Sequence, residues 1–271
     1  MTISKSLVDI LKAKSTLCLN TTDISLPIPI FESPEYVKWT SGETKEILWY
    51  RGVPGCGKSV MVSQVLKGLF ENQNFTESTT FFDFWVAVKM DPAAANIPAA
   101  VISFITAQLL EGNPNLWSAM NGDEQHIITT ALLCTHKIFS YESSSKSESR
   151  RVMPGLVSAL RMIQESTLWS CLCHIIDRGL ETMSRIYLIF DGDDNALPED
   201  RFRFLRNIRR LWERSESTQS GCIKILIASR DYPKAREVLD GLPYLDNERE
   251  QQGEHSVSQA HAIPIFHEVA I

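Results

Sequence analysis

Cysteine is sparse in this chain. Six occur in 271 residues, at positions 18, 56, 134, 171, 173 and 222, and they form no disulfide framework. A reducing, cytoplasmic setting is the expectation that follows. Long apolar runs are missing too, so no membrane-spanning helix and no membrane partner are expected. The opening stretch MTISKSLVDILKAKSTLCL is interrupted by Lys5, Asp9, Lys12 and Lys14, which excludes a signal-peptide reading. Neither sign of charge dominates. Lys+Arg 27 against Asp+Glu 33 leaves a net charge of −6, so bulk charge gives no reason to expect nucleic acid or an acidic membrane as main partner. The six histidines show no cluster, and no internal repeat is visible. Low complexity is confined to Ser140–Arg150, SYESSSKSESR, which reads as a long loop.

What is present is an ordinary globular composition, 44% hydrophobic and 22% charged, enough for a substantial core. Residues 1–40 read as a lead segment: a short amphipathic helix at about 4–14, then a proline-containing extended connector. From residue 41 onward, compact apolar runs alternate with helix-period segments. Strands are expected at Ile47–Arg51, Thr79–Val88, Arg185–Asp191 and Cys222–Ser229, with a last one at Ala262–Ile271. Helices are expected from Lys58, over Asn96–Leu110, within 114–139, over Leu156–Ile163 and Leu168–Met183, over Glu199–Arg214 and from Pro233. Strands that are apolar throughout, separated by helices, predict an α/β fold with a parallel sheet covered on both faces.

Between the first strand and its helix lies Gly52-Val53-Pro54-Gly55-Cys56-Gly57-Lys58-Ser59. It fits G-x-x-x-x-G-K-[ST], the Walker A phosphate loop, in the strand–loop–helix setting that this pattern requires. Glycines let the backbone wrap closely around phosphates, and the amides form an anion nest at a helix N-terminus. Gly52 to Ser59, with Val60 next in the helix, are the candidate nucleotide-binding residues. Lys58 is expected to reach the β- and γ-phosphates and the Ser59 hydroxyl to ligate Mg²⁺. Cys56 inside the loop reads as a small residue chosen for fit; a redox-sensitive thiol is the alternative.

A second element supplies the acid that such a loop needs. Five apolar residues of Arg185–Asp191 run into Asp191, followed by Gly192, Asp193 and Asp194. Asp191 is the candidate metal ligand alongside Ser59, and a catalytic candidate with Asp194. For Asp194 two readings stand: polarising an attacking water, or simple exposure. A third element is Lys224-Ile-Leu-Ile-Ala-Ser229-Arg230, in which Arg230 follows a buried strand. Ligands of such sheets lie beyond the carboxyl ends of the strands. Arg230 is therefore read as a sensor of the γ-phosphate, or as a surface arginine paired with an acid.

These three segments together resemble the NACHT-type signal-transducing NTPases of the STAND class, in particular the fungal NLR-like group with a nephrocystin-like N-terminal NTPase module. Residues 47–59, 187–194 and 224–230 carry the likeness, supported by Phe81-Phe82-Asp83-Phe84, by Ile105–Leu110 and by Glu35-Tyr36-Val37-Lys38-Trp39. The resemblance implies a three-layer P-loop NTPase fold with a mainly parallel five-stranded sheet, ATP or GTP with Mg²⁺, and a nucleotide-driven signalling switch. ATP is preferred because no Asn-Lys-x-Asp guanine-reading motif occurs. The family's acidic motif runs Asp-Gly/Ala-Leu-Asp-Glu; here Asp193 replaces the apolar residue and Asn195 the glutamate. Asn195 cannot act as a general base, so at most weak ATPase activity is expected. The family's winged-helix and repeat regions have no counterpart within 41–271, which reads as a truncated or stand-alone NTPase domain whose partners are other proteins or further copies. The rival readings are a degenerate interaction module that hydrolyses nothing and a P-loop kinase of a small metabolite.

Two further features carry less. Arg203, Arg206, Arg210 and Arg214 form a stripe along one predicted helix, opposite Leu205, Ile208, Leu211 and Trp212. This reads as a solvated helix face; docking of a protein or an RNA backbone is the alternative. Cys171 and Cys173 are too closely spaced for a zinc knuckle.

Overall fold

A computed structural model describes residues 29–72, 77–84, 98–118, 120–129, 165–215 and 221–246. A short 3₁₀ turn at Pro29–Glu32 leads into α1 (Pro34–Ser41), β1 (Glu46–Arg51), α2 (Lys58–Asn72) and β2 (Glu77–Asp83). Then come α3 (Pro98–Gly112), α4 (Pro114–Ser118), a helical stretch at 122–129, α5 (Glu165–Leu180) and β3 (Arg185–Asp191). A 3₁₀ turn (Asp193–Asn195), α6 (Pro198–Arg214), β4 (Cys222–Ser229), α7 (Pro233–Leu239) and β5 (Tyr244–Asp246) follow.

The five strands form one sheet in the order β2-β3-β4-β1-β5, and every pairing is parallel. The α/β architecture expected from the alternating pattern is therefore present, as a three-layer arrangement of the P-loop NTPase kind. Side-chain alternation divides the core. Ile47, Trp49, Leu188, Phe190, Ile225 and Ile227 join the cluster beneath α3, α5, α6 and α7. Leu48, Tyr50, Tyr187, Ile189, Leu226 and Ala228 join the cluster beneath α1 and α2. Central β4 is buried at every position, whereas edge strand β2 alternates. That contrast is what burial on two faces demands of the centre and not of the rim.

The free edge of β2 is capped by a side chain. Gln108 of α3 donates from Nε2 to the Phe81 carbonyl at 2.8 Å and accepts from the Phe81 N–H at 2.9 Å. The amide thus imitates a neighbouring strand and satisfies groups that an edge leaves open. Phe82, Phe84, Phe104, Phe190 and Phe204 pack edge to face in a chain from β2 to α6, with ring centroids 4.9–5.4 Å apart.

Three local expectations change. The second strand stops at Asp83, and Phe84 is already helical. The extended connector gives way to a helix already at Pro34, over the Glu35–Trp39 segment that resembles the family's lead-in helix, because Ser33 caps α1 by accepting the Tyr36 N–H and Pro34 occupies its first turn. Trp39 of that helix is 1% exposed and donates its indole N–H to the Ile225 carbonyl at 3.0 Å, so α1 is packed on the sheet. The fifth strand is Tyr244–Asp246, three residues too short and too polar to stand out in sequence. The expectations at 4–14, 140–150, 156–163 and 262–271 lie outside the described residues. Among the described residues no helix is long and apolar enough to cross a membrane.

Candidate functional site

Parallel strands all point their carboxyl ends to one edge of the sheet, so the loops after β1, β3 and β4 share that edge. After β1 the chain turns at Gly55 and Gly57, whose φ angles are +77° and +92°. Only glycine takes these left-handed values without strain. The turn is closed by the Cys56 N–H donating to the Val53 carbonyl, and α2 begins at Lys58. The Lys58 ammonium lies across the loop, donating to the Gly52 and Val53 carbonyls, each at 2.9 Å, with the Cys56 sulfur 3.7 Å away. Gly52 is buried, whereas Val53, Pro54 and Gly55 are exposed, and Val60 is half-buried in the first turn of α2.

Arg51 anchors the base of this loop. It pairs with Asp246 of β5, lies 3.8 Å from Asp231, and stacks 3.9 Å from the Tyr244 ring centre. The edge strand missed in sequence therefore helps to hold the loop.

Asp191 ends β3 and is 4% exposed. Burial pushes its carboxyl up to about 7; the Ser59 hydroxyl hydrogen-bonded to it and the nearby Lys58 charge pull it down, while Asp83 and Asp194 push it further up. Loop and acid, separated by about half the chain, thus meet at Ser59. Hydroxyl and carboxylate are the hard oxygen donors that magnesium takes. A deeply buried acid beside a second strand-end acid is an arrangement that a divalent cation stabilises. On that observation the residues fit Mg²⁺.

Asp194 and Arg230, read separately in sequence, are bound to each other. Arg230 Nε lies 2.8 Å from Asp194 Oδ2, and the Arg230 backbone N–H donates to Oδ1 at 3.3 Å. Arg230 is exposed, and its carboxylate partner is largely covered. Asn195 turns inward, donating its side-chain amide to the Gly192 carbonyl at 2.8 Å.

Asp193, which stands where the resembled family has an apolar residue, is fully buried at 0% exposure. Burial pushes its carboxyl up to about 7, opposed by the Tyr232 hydroxyl, which donates to Oδ2 at 2.6 Å, and by the Arg201 charge. Arg201 lies 4.2 Å over the Tyr232 ring. The departure in sequence is thus matched by a buried polar cluster.

Two contributors escaped the motif search. Asp83 is the register partner of Asp191 on β2, and its strand-then-acid signal, Thr-Thr-Phe-Phe-Asp, is the one that identified Asp191. Tyr232 has no such signal, since only the fold brings it to Asp193.

Residues 29–156 match the family model described as nephrocystin 3, N-terminal. No curated protein matched the chain. The matched stretch holds α1, the glycine-rich loop at 52–59, β2 and α3, whereas Asp191 and Arg230 lie beyond it. Over residues 29–156 the chain is similar to the nephrocystin 3 N-terminal family.

Proposed function

We propose that this chain is a NACHT-like, ATP-binding switch module of an NLR-like signalling protein that turns nucleotide over slowly. The observation that carries the reading is the meeting of Ser59, in a G-x-x-x-x-G-K-S loop, with the buried Asp191 of β3. Gly52–Ser59 and the start of α2 would hold the phosphates of ATP, with Ser59 and Asp191 holding Mg²⁺. The metal, when bound, supplies charge neutralisation at the phosphate oxygens.

The chain's own residues then have two exchanges to make. Lys58 leaves the Gly52 and Val53 carbonyls, trading neutral acceptors for anionic ones. Arg230 leaves Asp194 to reach a γ-phosphate, so carboxylate and phosphate compete for one guanidinium. That competition is a two-state element of the kind a switch requires. Slow turnover is supported by the same groups: Asn195 carries no base and points at Gly192, and Asp194 is engaged by Arg230.

Lys58→Ala should weaken Mg·ATP binding by about a hundredfold or more, on the order of 3 kcal/mol. Isothermal titration with wild type and variant checks it, and affinity retained in the variant would sink the site. The second reading, a degenerate interaction module that keeps the fold and hydrolyses nothing, is favoured by the Asp194–Arg230 pair. Phosphate release by wild type and by Asp191→Asn separates the two.

A further inference from the structure

The arginine stripe of α6 is exposed along its length, as a solvated helix face is. It forms one wall of a groove of about 550 Å³ against α5. The two helices run in the same direction: Asn207 Nδ2, midway along α6, donates to Glu165 Oε1 at the start of α5 at 3.2 Å, and Arg214 Nη2 at the end of α6 lies 3.0 Å from Asp177 Oδ2 in the last turn of α5. Those contacts also sort the arginines. Arg203 is tied to Asp200 and lies 3.7 Å from Glu165, and Arg214 is tied to Asp177. Arg206 and Arg210, one turn apart between them, have no acidic partner among the described residues, and both are exposed. Like charges at this spacing repel in the free helix. The middle of the groove is therefore electropositive in a chain whose net charge is −6.

The α5 wall adds a second observation. Trp169 lines the groove and is only 8% exposed, yet its indole N–H has no acceptor among the described residues. That nitrogen has no accessible surface, so it is closed to a docked group, and Trp169 contributes wall and not a hydrogen bond to the groove.

We infer that this groove is a docking site for an acidic segment of a partner protein, one carrying at least two carboxylates about 6 Å apart, the separation of neighbours on successive helical turns. Guanidinium forks match carboxylates in geometry as well as charge. The stripe from Arg203 to Arg214 runs roughly 16 Å along the helix, which suits a peptide of a few turns and exceeds a single small anion. A nucleic-acid backbone fits less well. Its charge would continue past the groove onto Asp177 and Asp200, and the ring beside Arg206, Phe202 at 5.9 Å, is half-buried and already faces Lys234 at 5.4 Å.

Fluorescence anisotropy on the full chain tests the inference. The probe is a labelled helical peptide of about four turns with one glutamate per turn; its glutamine counterpart and a single-stranded RNA of similar length are the comparisons. The glutamate peptide should bind, in a salt-sensitive way, at least about tenfold more tightly than either. Arg206→Gln with Arg210→Gln should remove about tenfold or more of that affinity while leaving the thermal midpoint unchanged, since both side chains are exposed. Equal binding of the glutamate and glutamine peptides, tighter binding of RNA, or undiminished affinity in the double variant would each overturn the assignment. The peptide comparisons use wild-type protein, so they decide the matter even if the double variant folds poorly.

Discussion

Lys224 sits in the middle of the sheet with its side chain 0% exposed and its ammonium without a hydrogen-bond acceptor among the described residues. Burial is the main reason its affinity for a proton falls below that of an ordinary lysine, with Arg185 and Lys38 acting in the same direction and Cys222 and Glu46 against it. The folded state therefore binds fewer protons here than the unfolded chain, and its stability rises with pH as the unfolded lysine approaches its own titration. Lys224→Met should raise unfolding free energy by about 1–3 kcal/mol near neutral pH and flatten that pH slope. Urea titrations across the alkaline range check both, and a less stable variant would contradict the account. Tyr232 presents the opposite case. Its hydroxyl serves the buried Asp193, whose carboxyl burial has already raised to about 7. An acid raised on folding gives up stability as pH climbs from the unfolded carboxylate value through the folded one. Tyr232→Phe withdraws a group that favours the ionised form, so the decline should steepen. The variant should lose about 2–3 kcal/mol above pH ~7 and less at pH ~5, as read from thermal melts in the two buffers.

At the scale of elements, α1 is a short helix that owes its place to one side chain. Trp39 is buried against Tyr187 at 5.5 Å between ring centres and is hydrogen-bonded to β4. Eight residues would not hold a helix in water by propensity alone. Trp39→Ala should therefore cost about 3–5 kcal/mol and detach α1 as a unit, visible as accelerated amide exchange over 34–41 with β3 and β4 still protected. Uniform loss of protection would argue that α1 is part of the global core instead. The elements also mark how far pattern reading reaches. β1, β3 and β4 were legible because burial on both faces demands unbroken apolar runs. β5 was not, because three residues at an edge, two of them exposed, carry no periodicity. The end of β2 was misjudged because the aromatic run continues past Asp83 into Phe84, which packs on Phe204 of α6 and not along a strand.

For the whole molecule, nucleotide binding and folding should be linked. A ligand that binds the folded state alone stabilises it by about 2.7 kcal/mol at a hundred times its dissociation constant, roughly 5–10 °C for a chain of this size. Mg·ATP should shift the melting midpoint of wild type by that amount and leave Lys58→Ala unmoved. No shift in wild type at millimolar Mg·ATP would set the proposed function aside while leaving the α5–α6 groove to its own test. The amino-acid sequence by itself determined the α/β class, the four longer strands, the phosphate-loop pattern and the acid closing β3, because each is written in local periodicity or in contiguous residue types. Tertiary structure alone decided the strand order, the meeting of Ser59 with Asp191, the pairing of Arg230 with Asp194, the acceptance of Asp193 beside Tyr232, and the two arginines left uncompensated on α6. Those depend on which distant segments the parallel crossovers bring to one edge or one face, and charges act through space, not along the chain.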